Sequence, residues 1–214
     1  MIFHHPIRIV RQLCPNALWR MDRADRSVYL TFDDGPIPES TPWILDELDR
    51  QGVKATFFVV GDNVNKYPDL FQAIVSRGHR IGNHTFHHLQ GRRCSVDAYL
   101  ADVALAQQTM EETIPPSPKS KPTPKLFRPP HGYLRPSQQR ALESQYQLVQ
   151  WDIVTRDYAP RVTADKIVHR IQRNVRNGSI ITFHDSLRTI DKLPVALPEA
   201  IQWMRKQGYE FKLL

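Results

Sequence analysis

The order of apolar runs along this chain constrains its fold most. Short β-branched runs recur between longer stretches of helical periodicity, and that alternation builds a parallel sheet with crossover helices. Strands are expected at residues 28–32, 55–60, 80–84, 125–128, 148–153, 179–183 and 210–213. Helices are expected at 41–51, 65–77, 95–113, 136–145, 163–176 and 192–207. Ser95 and Thr163 stand where N-cap hydroxyls belong, and Gly52, Gly78, Gly178 and Gly208 where left-handed C-caps belong. Seven strands with six intervening helices predict an α/β barrel, closed or incomplete.

A length of 214 residues suits one domain or two small ones. Hydrophobic residues at 41% and charged residues at 24% exclude a disordered, collagen-like or coiled-coil chain. The net charge of +7 favours anionic partners such as phosphorylated glycans or lipid headgroups, and equally fits a solvated basic surface. Nothing reads as a helix-turn-helix, an RNP motif or a basic region, so no nucleic-acid partner is expected. Cys14 and Cys94 are too far apart to suggest a disulfide framework or a zinc ribbon.

Arg8, Arg11 and Pro15 interrupt the N-terminal stretch, so neither a signal peptide nor a spanning helix is expected. The compartment is left open, with a cytoplasmic or membrane-surface location favoured. Residues 1–27 read as a covering segment packed on the domain. Ile7, Val10 and Cys14 at helical spacing beside Arg8 and Arg11 keep a membrane-surface helix as an alternative. The stretch 114–125, with five prolines and three lysines, reads as a surface excursion between a helix and the next strand. A monomer is expected.

Five strand ends carry residues suited to chemistry. Asp33 and Asp34 leave the first strand in Thr-Phe-Asp-Asp-Gly-Pro. Asp-Gly-Pro alone is an ordinary turn, but adjacent carboxylates repel and usually meet a positive group, so one can bind a metal while the other is held ionised as a base. His84 and His88 follow the third strand, and an i, i+4 pair faces one way if the loop turns into a helix, as metal ligands do. His87 would then point away, and His79 offers a further candidate. Arg128 precedes two prolines and His131; its guanidinium suits the orienting of a carboxylate, and the stiffened backbone can present the His131 amide in a fixed direction. Asp157 follows the fifth strand and His184 the sixth, where a carboxylate beside an imidazole keeps it protonated. Parallel barrel strands bring their C-terminal ends to one face, and convergence there outweighs the bland reading of each residue alone.

From about Val28 to the C-terminus, these five ordered motifs resemble the NodB-type polysaccharide deacetylases of carbohydrate esterase family 4. The resemblance implies a distorted, incomplete (β/α) barrel over residues 28–214. It makes Asp33 the catalytic base, and Asp34, His84 and His88 the ligands of one divalent ion, with zinc preferred over cobalt, nickel or manganese. Arg128 would orient Asp33, the His131 amide would hold the oxyanion, and His184, tuned by Asp157, would be the acid. Tyr158 and Thr182 depart from the family's usual Trp and Leu beside the acetyl methyl group, which touches acyl-group selectivity and leaves the chemistry alone. The implied reaction removes N-acetyl groups from a peptidoglycan or chitin-like glycan. Two alternatives stand beside it: a hydrolase of the same fold acting on a non-sugar amide or O-acetyl ester, and a non-catalytic glycan-binding barrel. The joint presence of Asp33 and His184 weighs against the latter.

Overall fold

The computed structural model describes Arg11, residues 14–114 and residues 124–214. The helical spacing of Ile7 and Val10, and all but the ends of the Pro-rich stretch, lie outside the described residues.

Every residue of β1 (Ser27–Asp33) is buried, as a parallel strand covered on both faces requires. On one side it pairs with β2 (Thr56–Val59), followed by β3 (Arg80–Asn83), β4 (Leu126–Phe127) and β5 (Gln147–Leu148). On the other side lie β7 (Ser179–His184) and β6 (Ile153–Val154). The last strand, β8 (Glu210–Phe211), joins the start of β1, and all pairs are parallel.

The sheet curls into the incomplete barrel that the motifs implied. Expected as one strand, residues 148–153 are divided between β5 and β6 at opposite edges of the sheet. The physical reason is that each half finds a different neighbour: the Val149 amide bonds Phe127 O, whereas the Asp152 amide bonds Ile180 O. In the gap lies Leu18, whose amide bonds Leu148 O and whose carbonyl accepts the Gln150 amide, both at 2.8 Å.

The α-helices between Thr41 and the C-terminus, among the described residues, are α1 (Thr41–Gln51), α2 (Gly61–Lys66), α3 (Pro68–Ser76), α4 (Val96–Thr113), α5 (Pro136–Glu143), α6 (Ala164–Asn174) and α7 (Leu193–Lys206). One helix was expected over 65–77. Two form instead, because Tyr67 precedes Pro68 and the proline ring disfavours helical backbone there. The Ser95 and Thr163 side chains cap α4 and α6 by accepting the Ala98 and Lys166 amides.

Alternation along the strands sorts the two sides of the sheet. Val28, Leu30 and Phe32 join Ile44, Leu48, Ile167 and Ile201 in the main core. Tyr29, Phe58, Leu126, Val149 and Ile180 pack together on the inner side. Continuing inward along β1 and β7, the register pairs Tyr29 with Ile180, Thr31 with Thr182 and Asp33 with His184. The inner positions thus run from apolar through hydroxyl to ionisable toward the C-terminal strand ends.

Candidate active site

Asp33 ends β1 with its carboxylate buried against Arg128, at 2.7 Å from Oδ1 to Nη1. Arg128 is fully buried. Its Nη1 also donates to Thr31 Oγ1 at 2.7 Å, its Nη2 donates to Gln150 O at 2.8 Å, and its guanidinium lies 4.1 Å from the Phe58 ring centre. One guanidinium nitrogen, not the full fork, therefore meets the carboxylate, and the rest of the group is anchored to the barrel wall.

Asp34 turns out of β1 with φ 85°. Its Oδ1 lies 3.6 Å from His84 Nε2 and 3.2 Å from His88 Nε2. One ligand atom from each of these three residues lies within 4.8 Å of the others. Donor atoms around a tetrahedral zinc at about 2.0–2.1 Å stand roughly 3.3 Å apart, so the cluster fits such an ion in both spacing and donor type. Burial alone would raise the Asp34 pKa, but hydrogen bonds from His84 and His88 and the charge of His184 hold it well below the usual carboxylate range. His84 Nδ1 lies 2.7 Å from Arg128 O. A carbonyl can only accept, so Nδ1 donates to it, and Nε2 is the ring nitrogen that faces Asp34 and His88.

The histidine pair meets without a helical turn, contrary to expectation. Thr85 and His88 adopt left-handed backbone, φ 67° and 54°. The loop is held from outside instead: Asn83 Oδ1 accepts the Thr85 amide, and buried Asp102 on α4 accepts the Phe86 and His87 amides at 2.9 and 3.1 Å. His87 turns to Asp102, 2.5 Å from its carboxylate. His79 is a packing residue: it is buried against Phe57, its Nδ1 accepts the Ala55 amide, and burial lowers its pKa to about 4.

His184 ends β7, and its Nδ1 lies 2.7 Å from Asp157 Oδ1 while its amide donates to Asp157 Oδ2. Burial opposes charge on this imidazole, but Asp157, reinforced by Asp34 and Asp33, outweighs it and raises the pKa to about 9. Tyr158 packs edge-on against the His184 ring, with centroids 4.7 Å apart. The Thr182 hydroxyl lies 3.1 Å from that of Thr31. His131 has φ 60° and sets its ring 5.0 Å from that of His88.

All ten expected site residues gather at one end of the barrel. Asp33, Asp34, His84, His88, His131, Tyr158, Thr182 and His184 line one cavity of about 560 Å³. Arg128 and Asp157 stand behind Asp33 and His184. Trp151, Val154, Ile37 and Asp185 also line it, and sequence reasoning gave none of them a role. Trp151 and Val154 are there because the chain crosses the barrel gap, which periodicity cannot show. Asp185 had a signal in its place directly after His184.

The polysaccharide deacetylase family profile matches residues 20–149. The chain belongs to this family. It is 34% identical over 197 residues to a peptidoglycan-N-acetylglucosamine deacetylase of Bacillus cereus, covering 90% of this chain and 88% of that one. It is 35% identical over 161 residues to a chitooligosaccharide deacetylase of Bradyrhizobium, covering 75% and 71%. Among solved structures, the Bc1960 peptidoglycan N-acetylglucosamine deacetylase in complex with 4-naphthalen-1-yl-N-oxidanyl-benzamide superposes with a TM-score of 0.81 at 32% identity, covering 92% of this chain and 89% of that one. The fold is the curled half-barrel of the family 4 carbohydrate esterases, and this polysaccharide deacetylase is an enzyme of that class. No helix among the described residues is long and apolar enough to cross a membrane.

Proposed function

We propose that this enzyme removes N-acetyl groups from an N-acetylated glycan of the peptidoglycan or chitin type, using one divalent metal ion. The observation that carries the reading is a single cavity in which the Asp34, His84 and His88 donor atoms lie beside an arginine-held carboxylate and an aspartate-paired imidazole. Hydrolysis of an amide needs all three, because its carbonyl is poorly electrophilic and its nitrogen leaves only when protonated. Asp34, His84 and His88 would hold the ion, zinc by preference for this mixed carboxylate and imidazole set. Once bound, the ion supplies Lewis acidity toward water and the amide carbonyl.

The chain's own groups do the rest. Asp33, aimed by Arg128, takes a proton from the attacking water as the new carbon–oxygen bond forms. The oxygen that gains charge accepts the His131 backbone N–H; such donors are typically worth about 10²–10³ in rate. His184, charged through Asp157, gives its proton to the sugar nitrogen as the carbon–nitrogen bond breaks, leaving acetate and a free amine. Tyr158, Thr182 and Trp151 wall the space beside His184 and would receive the acyl group.

Thr182 and Tyr158 among the residues of that wall favour a second reading, in which the acyl donor is a non-sugar amide or an O-acetyl ester. The deciding experiment measures amine release from N-acetylglucosamine oligomers and from peptidoglycan, after chelation and again after zinc is restored, with Asp33→Asn alongside. Zinc-restored release that the mutant lacks is the expected result. Intact glycans beside zinc-restored cleavage of simple amides or acetyl esters would move the assignment to the second reading.

A further inference from the structure

Asp185 is buried directly after His184, yet it takes no part in the proton transfers above. Both hydroxyls at the start of α1 are given to its carboxylate: Ser40 Oγ donates to Oδ1, and Thr41 Oγ1 donates to Oδ2 at 2.6 Å. Ser40 sits at the N-cap of α1 but makes no side-chain cap bond. The hydroxyl that would ordinarily close the first helical turn is spent on Asp185. Thr41 Oγ1 also accepts the Ile37 amide at 2.7 Å, and the Asp185 amide donates to Asp33 O at 2.7 Å. A Cβ at Gly35 would stand 2.0 Å from Asp185 Oδ2, so the turn after Asp34 lies against this carboxylate.

One side chain therefore touches both ends of the excursion from β1 to α1, at Gly35 and at Ser40 and Thr41, and that excursion carries Asp34, whose backbone is held from the other side by Phe58 O and Asn63 Nδ2. A buried carboxylate that meets only hydroxyls is a costly way to fill space, and burial pushes this one up to about 7. Its return lies in direction, since each hydrogen bond fixes where the loop runs.

We propose that Asp185 is a positioning residue, clasping β7 to residues 35–41 so that the Asp34 carboxylate stays aimed at His84 and His88 and the site keeps its affinity for the metal. This rests on Asp34 being a metal ligand. Zinc titration calorimetry and glycan deacetylation on the wild-type chain come first; failure there removes the triad reading and says nothing against Asp185.

With wild-type binding in hand, Asp185→Ala should weaken zinc by about tenfold or more, as loss of a ligand-orienting partner does. At saturating zinc, kcat should fall more than KM rises. Asp185→Asn keeps the shape, and its amide can accept from one hydroxyl and donate to the other, so it should recover most of the affinity. Ser40→Ala cuts the clasp from the other side and should weaken zinc to a smaller degree, even if Asp185→Ala fails to fold. Zinc affinity within about twofold of wild type in Ser40→Ala and in any folded Asp185→Ala would overturn the proposal. Equal losses in Asp185→Ala and Asp185→Asn would overturn it too, since charge and not the clasp would then be responsible.

Discussion

Asp33 and His184 stand directly opposite one another in the register of β1 and β7, at the next inward position beyond the hydroxyl pair of Thr31 and Thr182. Each is backed by a buried partner of opposite charge, Arg128 behind one and Asp157 behind the other. The group proposed to accept a proton and the group proposed to give one are thus held by the same backbone ladder, with no loop between them.

Asp33→Asn tests the accepting half. The amide keeps the shape and lies outside the metal triad, so zinc should bind with unchanged stoichiometry while deacetylation falls by about 10²–10⁴. Calorimetry and amine release on one preparation give both numbers; full activity in the mutant would exclude Asp33 as the base.

The donating half sets the pH dependence. With His184 raised from its ordinary 6.5 to about 9, the active protonated form persists through neutrality, and kcat should decline as pH passes about 9. The same shift stabilises the fold: its full contribution is present below the unfolded value near 6.5 and is lost as pH rises through the folded value. Asp157→Asn removes the main opposing charge, so the alkaline limb should move toward neutral pH. A profile that stays fixed in that mutant would assign the limb to another group.

Arg128 joins stability to chemistry. Arg128→Met leaves the Asp33 carboxylate and the Gln150 carbonyl buried without their partner, which should cost about 3–5 kcal/mol. Arg128→Lys places a point charge where a planar group spans two anchors, and should recover part of the stability and little of the rate. Chemical denaturation beside single-turnover kinetics separates these effects.

Asp102 should matter more than its distance from substrate suggests. Asp102→Ala strips the Phe86 and His87 amides of their acceptor, with an expected cost of about 2 kcal/mol. The loop carrying His84 and His88 loosens with it, and zinc affinity should drop about tenfold. His87→Ala leaves both amide bonds intact and should change zinc affinity little. Equal weakening by the two mutants would assign the effect to the contact between the His87 ring and Asp102.

Patterning in the chain was enough to specify the alternating parallel architecture and the residue types that meet at its strand ends, because strand ends in such a sheet converge whatever the loops do. Asp33, Asp34, His84, His88, Arg128, Asp157 and His184 were all legible as residues at those ends. The break between α2 and α3 was missed, because the apolar periodicity over 65–77 was followed past Pro68, although a proline acts on its immediate neighbour.

Tertiary structure alone decided how those residues meet. The run from Leu148 to Ile153 looks continuous, and only competition between β4 and β7 for its amides splits it and brings Trp151 and Val154 to the cavity. His84 and His88 share a site through the left-handed turns at Thr85 and His88, which Asp102 holds from a separate helix. Asp185 is tied to Ser40 and Thr41 across more than half the chain. Local sequence dictates backbone preference within a few residues, whereas a buried carboxylate takes whichever donors the finished fold delivers, and that choice is made only when the core closes.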